Sequence, residues 1–167
     1  MSANSKSIYI KNEYKFLSNA IKLKKIIIGI CLGAQIIAKF YGSIIQKSPN
    51  KEVEIGYRNT KKINNSIIND RTKFLQFHNE GISFNSNMEL LSKGNLFNVD
   101  AFKIKNKEVY GFQFHPEVTA NMIKNWYDNL KSIDKGTDNL SKILKDHKIY
   151  HKENYFWLNK ILNKIIK

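Results

Sequence analysis

Ile26-Ile27-Ile28-Gly29-Ile30-Cys31-Leu32-Gly33 is the stretch on which the reading of this chain turns. The apolar run predicts a buried strand, and the glycines predict a sharp turn. Ile36, Ile37 and Phe40 then mark one face of a helix from Leu32 to Tyr41, with Gly42 as its stop signal. The single cysteine of the 167 residues therefore sits on a strand-turn-helix elbow. Glycine lets the backbone double back where a side chain would clash. The helix opening at Leu32 points free N–H groups and its positive dipole end at the sulfur, the setting in which a thiol acts as a nucleophile. A lone cysteine in a chain of this size is ordinarily an inert core residue, so the elbow needs a second feature beside it.

The C-terminal half supplies one. Val109 to Phe114 reads as a strand and runs into His115-Pro116-Glu117-Val118, just before a helical stretch opening at Thr119. Residues two apart in an extended chain project to the same side, so Glu117 can hold one ring nitrogen of His115 while the other faces the sulfur. Pro116 ends strand pairing and fixes the backbone between them. Taken singly, His115 reads as a surface histidine at a strand end and Glu117 as a solvated acid. Set beside the cysteine elbow, they have the arrangement of a Cys-His-Glu triad.

On these two blocks the chain resembles the class I glutamine amidotransferases. Gly29 to Gln35 (GICLGAQ) is similar to that family's elbow, and Tyr110 to Thr119 (YGFQFHPEVT) to its closing motif. Between them, Glu54-Ile55-Gly56-Tyr57 and Phe77-His78-Asn79-Glu80 resemble the intermediate blocks of the members like the glutaminase domain of GMP synthase. The likeness implies an α/β fold, with a flavodoxin-like, mostly parallel sheet flanked by helices and C-terminal helices beyond. It implies a single domain over 1–167, in which about 1–126 matches the family core and about 127–167 forms a helical tail.

The activity implied by the resemblance is hydrolysis of the glutamine side-chain amide to glutamate and ammonia. Cys31 would attack the amide carbon. His115 would draw the thiol proton and later give it to departing ammonia, and Glu117 would hold the imidazole in the useful tautomer. The backbone N–H of Leu32, beside the nucleophile, can stabilise the tetrahedral oxyanion. Gln35, one helical turn after Cys31, falls on the family's glutamine-binding position; its spacing suits a partly buried glutamine bonded to backbone equally well. His78 and Asn79 resemble the loop that holds the substrate's amino-acid end, mainly through backbone groups. No cofactor is implied, and the four histidines show no metal-ligand spacing. The family passes ammonia to a synthetase partner or domain, and no Walker-type glycine loop is present to serve ATP chemistry here. The same triad would also cleave γ-glutamyl peptides, since only the leaving amine differs.

Composition narrows the classes further. The formal charge of +14 invites a nucleic-acid reading, but of the 28 basic side chains only Arg58 and Arg71 carry the forked guanidinium favoured in phosphate and base contacts. Lys, Ile and Asn make up more than two-fifths of the chain, the signature of AT-rich coding sequence, and the lysines are scattered instead of gathered on one face. Specific nucleic-acid recognition is therefore set aside in favour of a solvated surface. No signal peptide or membrane-length apolar run is evident, and one cysteine excludes an internal disulfide, so the chain reads as cytoplasmic.

Coarser patterning predicts a helix over 8–23, a short strand over 42–47, strand structure over 52–63, and strands over 73–78, 89–92, 97–105 and 109–114. Helices are predicted over 119–132 and most of 138–166, the last with an apolar face expected to pack on the domain. One family block has no match. The family's domain opens with a strand-helix-strand portion and a Gly-Gly-Pro loop that supplies the second oxyanion donor, whereas this sequence has no adjacent glycines. Met1 to Asn4 is similar to the continuation of that loop. The resemblance thus implies an N-terminally truncated domain whose elbow strand has an open edge, completed by a separate polypeptide, or else a non-catalytic remnant serving as a binding module.

Overall fold

Helical and extended stretches alternate along the chain, and the computed structural model, which describes residues 2–63, 66–68 and 72–166, shows how they are layered. The order is α1 (Ile8–Lys22), β1 (Ile27–Ile30), α2 (Leu32–Phe40), β2 (Ile45–Gln46), β3 (Glu54–Asn59), β4 (Lys61–Lys62), β5 (Lys73–His78), β6 (Gly81–Ile82), β7 (Met88–Lys93), β8 (Ala101–Ile104), β9 (Val109–Phe112), α3 (Ala120–Asp128) and α4 (Leu140–Ile165). The five-stranded sheet runs β1-β9-β8-β7-β4, with β2-β6 and β3-β5 as antiparallel pairs beside it. The β1–β9 pair is parallel, and the ladders from β9 to β4 are antiparallel. The fold is α/β, as the sequence indicates, with an antiparallel extension that forms the larger part of the described sheet. Bridges Leu75↔His115 and Ile82↔Val99 tie the smaller pairs to its core.

Alternation along β9 feeds two faces. Val109 packs with Ile10, Leu17, Ile36 and Ile37 under α1 and α2, while Tyr110 and Phe112 join Phe74, Phe114, Trp157 and Ile161 under α4. A third cluster, with Val53, Ile55, Leu75, Ile123 and Ile143, fills the space between β3-β5 and the helices α3 and α4. The tail helix is thus an integral face of the core. Ser7, Thr119 and Asn139 cap α1, α3 and α4 by accepting hydrogen bonds from backbone N–H groups of the first turn. Among the described residues no helix is long and apolar enough to cross a membrane.

Several boundaries differ from the sequence reading, for tertiary reasons. The helix expected to reach residue 132 ends at Asp128, because the following segment pairs with β3: Val53 N–H donates to the Lys135 carbonyl, Ile55 N–H to Gly136, and Asp138 N–H to Ile55. Gly136 (φ +101) lies against the Val53 carbonyl, where a Cβ would collide. The strand expected over 97–105 narrows to Ala101–Ile104, since Gly94 N–H bonds back to Phe97 and closes a turn. The stretch 52–63 divides into β3 and β4, and that over 42–47 shrinks to Ile45–Gln46.

β1 occupies one end of the sheet order, and among the described residues no strand pairs with its outer side. A groove lined by Phe16, Leu23, Ile26 and Ile28 runs beside it. Phe16 and Leu23 are 71% and 67% exposed, unusual for residues of their size next to a sheet edge.

Candidate active site

The parallel pairing of β1 with β9 fixes the centre of the site. Gly29 lies opposite Gly111 and Ile30 opposite Phe112, and the ladder continues as Cys31 N–H donates to the Phe112 carbonyl at 2.8 Å. Both strands deliver their C-terminal ends to the same edge, where α/β folds hold their ligands. Cys31 emerges there at φ +48, ψ −103, a left-handed conformation costly for a non-glycine residue, and α2 begins at the next residue. Leu32, in the first turn of α2, carries an N–H that the helix itself cannot satisfy.

His115 follows β9 and is pinned from the other side, its N–H donating to the Leu75 carbonyl of β5 at 2.8 Å. Its Nδ1 meets Glu117 Oε1 at 2.7 Å, and the Trp126 ring of α3 lies 4.7 Å from the imidazole centroid. Burial alone would push the imidazole down, but hydrogen bonding to Cys31 and Glu117 outweighs it and raises the group to about 9. Because the folded value lies above the ordinary 6.5, the pairing contributes stability in full below about pH 6.5 and loses it as pH rises through about 9. Glu117→Gln, similar in shape but uncharged, is expected to shrink the fall in stability across that window. Denaturant titrations of both proteins at about pH 6 and about pH 10 measure it, and an identical fall in the two would remove the carboxylate from the account.

The remaining residues singled out by the sequence surround a cavity of about 340 Å³ that opens on Cys31. Leu32 and Gln35 line its floor, Phe77 to Glu80 one wall, Val53 and Ile55 another, and the Asn129–Asp134 segment borders it. Gln35 is buried and donates to the Glu80 carbonyl at 2.9 Å. The His78 ring is also buried, with Nδ1 2.9 Å from the Glu80 carbonyl and Nε2 3.0 Å from Gln76 Oε1, so this loop presents backbone and the exposed Asn79 to the cavity. Three contributors carry no signal in sequence spacing. Gln113 directs Nε2 at the Cys31 sulfur from 3.7 Å, the Phe77 carbonyl lies 4.0 Å from the same sulfur, and the Ser2 hydroxyl donates to Glu80 Oε2 at 2.6 Å. Among the described residues no group of three His, Cys, Asp or Glu side chains is placed to hold a metal ion.

The Cys31 elbow at the end of β1 and, just beyond the parallel β9, His115 with its ring held by the Glu117 carboxylate thus come to one edge of an α/β sheet. Residues 3–130 match the family described as Glutamine amidotransferase class-I. The glutamine-hydrolyzing GMP synthase subunit of Methanococcus aeolicus is 35% identical over 118 residues, covering 66% of this chain and 63% of that protein. Its counterpart of the same description from Methanobrevibacter smithii is 35% identical over 113 residues, 63% of this chain and 60% of that one. In fold, a glutamine amidotransferase from Thermotoga maritima superposes with a TM-score of 0.86 at 23% identity, over 100% of this chain and 74% of that one. One from Methylobacillus flagellatus gives 0.84 at 19% identity, over 99% and 72%. The chain belongs to the class I glutamine amidotransferases, and its sequence likeness runs to GMP-synthase-like glutaminases. It spans roughly three-fifths of the length of these curated relatives, 63% and 60%.

Proposed function

We propose that this chain hydrolyses the side-chain amide of glutamine to glutamate and ammonia through a thioester on Cys31. The observation that carries the reading is a strained elbow sulfur at the edge where β9 delivers an imidazole held by a carboxylate at 2.7 Å. Sulfur adds to the amide carbon, and the carbonyl electrons move to oxygen, facing the free N–H of Leu32. As the intermediate collapses, the carbon–nitrogen bond breaks and His115 gives its proton to the departing nitrogen. Water then loses a proton to His115 and adds to the thioester, and the second collapse releases glutamate and returns the proton and sulfur to their starting state. Gln35 and the 78–80 loop, with Asn79 at its exposed tip, hold the amino-acid end of the substrate.

The ammonia passes to a synthetase partner in the cytoplasm, where an unpaired cysteine stays reduced. The matched relatives are described as subunits, which supports a partner, and the open edge of β1 with its apolar groove suits an added strand from another polypeptide segment. The test compares ammonia release from glutamine with amine release from γ-glutamyl peptides, using the chain alone and with a synthetase of the GMP-synthase type. Glutamine is expected to be preferred, and a preference for peptides exceeding about tenfold in kcat/KM would move the assignment to a γ-glutamyl peptidase. His115→Ala is expected to reduce single-turnover rates by more than about a thousandfold, and Glu117→Ala by less, because loss of the orienting group leaves some imidazole in place. Unchanged rates in both would remove the triad assignment.

A further inference from the structure

Behind the cavity wall, four buried polar side chains form one cluster: Glu54 on β3, Gln76 and His78 on β5, and Asp100 just before β8. Glu54 and His78 are direct cross-strand partners. Gln76 Nε2 meets Asp100 Oδ1 at 2.7 Å, Gln76 Oε1 meets His78 Nε2 at 3.0 Å, and His78 Nδ1 meets the Glu80 carbonyl at 2.9 Å. That carbonyl also accepts from Gln35, whose amide lies 3.3 Å from Gln113, the residue directed at the Cys31 sulfur. An unbroken line of polar contacts therefore joins Asp100 to the elbow.

Counting protons along this line exposes a conflict. With the amide of Gln76 in this orientation, both nitrogens of His78 face carbonyl oxygens, and only a doubly protonated ring can donate to both. Its surroundings oppose that charge. Burial, with His115 nearby, pushes His78 down to about 3 against the opposing pull of the Glu80 carbonyl. Glu54 Oε2 lies 3.7 Å from His78 Nε2, but burial and the neighbouring Asp100 push Glu54 up to about 7, despite the Leu96 N–H and Arg58. A half-turn of the Gln76 amide, which leaves its shape unchanged, removes the conflict. Its Nε2 then donates to an unprotonated His78 Nε2, its Oε1 accepts from a protonated Asp100, and His78 donates its single proton from Nδ1 to Glu80. Asp100 suits that role. Burial pushes it up to about 6 even with Gln76 favouring the charged form, and its Oδ2 is buried without a hydrogen-bond partner.

We propose that Asp100 holds a proton which, relayed through the Gln76 amide, keeps His78 as the neutral Nδ1–H tautomer and so anchors the Glu80 carbonyl against which Gln35 is set. Asp100 is a positioning residue for the cavity wall. When it loses that proton, the amide turns back, the His78 proton moves to Nε2, and the Nδ1 lone pair confronts the Glu80 oxygen. The wall is then released. The catalytic consequence rests on the glutaminase reading, whereas the tautomer itself does not.

The test is nitrogen-15 NMR of histidine ring nitrogens in the whole chain, titrated from about pH 5 to about pH 8. His78 is expected as the neutral Nδ1–H form at the acid end, changing to Nε2–H as pH rises. Asp100→Asn, whose amide can donate to Gln76 permanently, is expected to hold Nδ1–H throughout. In parallel, KM for glutamine is expected to rise by about threefold or more over the same range in the natural chain and to stay level in Asp100→Asn. A doubly protonated His78 at neutral pH, an Nε2–H form at the acid end, or a tautomer change that persists in Asp100→Asn would overturn the proposal. If glutamine is not a substrate, the NMR outcomes still decide it.

Discussion

Replacing Cys31 with alanine is expected to abolish ammonia release from glutamine, with a loss of at least about a thousandfold, while leaving the fold intact. The sequence contains no second cysteine to substitute. Its sulfur is placed by three independent restraints: the β1–β9 ladder ending at its own N–H, the left-handed backbone at φ +48, and the start of α2 at the next residue. Cys31→Ser keeps nearly the same shape and tests chemistry against geometry, because a hydroxyl beside the same imidazole is a far poorer nucleophile at neutral pH. Ammonia assays on both variants, with peptide mass spectrometry of the natural chain after a glutamine-derived diazoketone, provide the measurement. A single adduct at Cys31 that disappears on denaturation is the expected pattern. Substantial turnover in Cys31→Ala would transfer the nucleophile elsewhere and end the thioester account.

Gly29→Ala is expected to damage both stability and reactivity, although it adds only a methyl group. A Cβ at residue 29 would stand 2.6 Å from the Gly33 carbonyl carbon, 2.6 Å from Ile37 Cδ1 and 2.7 Å from the Ala34 nitrogen. Two of those atoms are backbone, so α2 must move away from β1 to make room. Overpacking of this kind costs about 1–3 kcal/mol, and about 2–4 °C of Tm accompanies each kcal/mol for a chain of this size. The sulfur would move with α2, and an ångström of misplacement at a reacting atom costs on the order of a hundredfold in rate. Gly33→Ala is the control. Its Cβ meets nothing within 4 Å, and alanine is favoured over glycine inside a helix, so its thermal stability should match or exceed the natural chain. Equal melting temperatures for Gly29→Ala and Gly33→Ala would show that β1 and α2 are not in forced contact.

The legible part of this molecule is the part governed by short-range rules. The elbow could be read because an apolar run, a close-approach glycine and helical periodicity all fall within residues 26–40. The strand into His115-Pro116-Glu117 was marked by a proline whose effect is local. The parallel pairing that sets the two side by side is a tertiary fact, visible only in the β1–β9 register. Gln113 illustrates the limit. It lies inside the recognised closing motif, yet its aim at the sulfur depends on the residue that β1 places opposite it. The end of α3 escapes helical spacing because Val53, just before β3, and Ile55 on it, over seventy residues earlier, capture the segment that such spacing would extend. The proton line from Asp100 to Glu80 was invisible for the same reason, since its members come from separate strands and look like ordinary polar residues in sequence.

The open side of β1 also bears on how the chain behaves in bulk. Among the described residues no strand pairs with that side, and an unpaired edge flanked by Phe16 and Leu23 is a template on which a second molecule can deposit. Lys22, Lys24 and Lys25 stand exposed around it, and the chain as a whole carries +14, so approaching copies repel one another before the edges meet. That repulsion reaches about 10 Å at 0.1 M salt and about 3 Å at 1 M. Colloidal behaviour is therefore tied to ionic strength. Concentrated salt, which sharpens burial of apolar surface in most proteins, here also removes the electrostatic barrier that keeps one β1 edge from finding another.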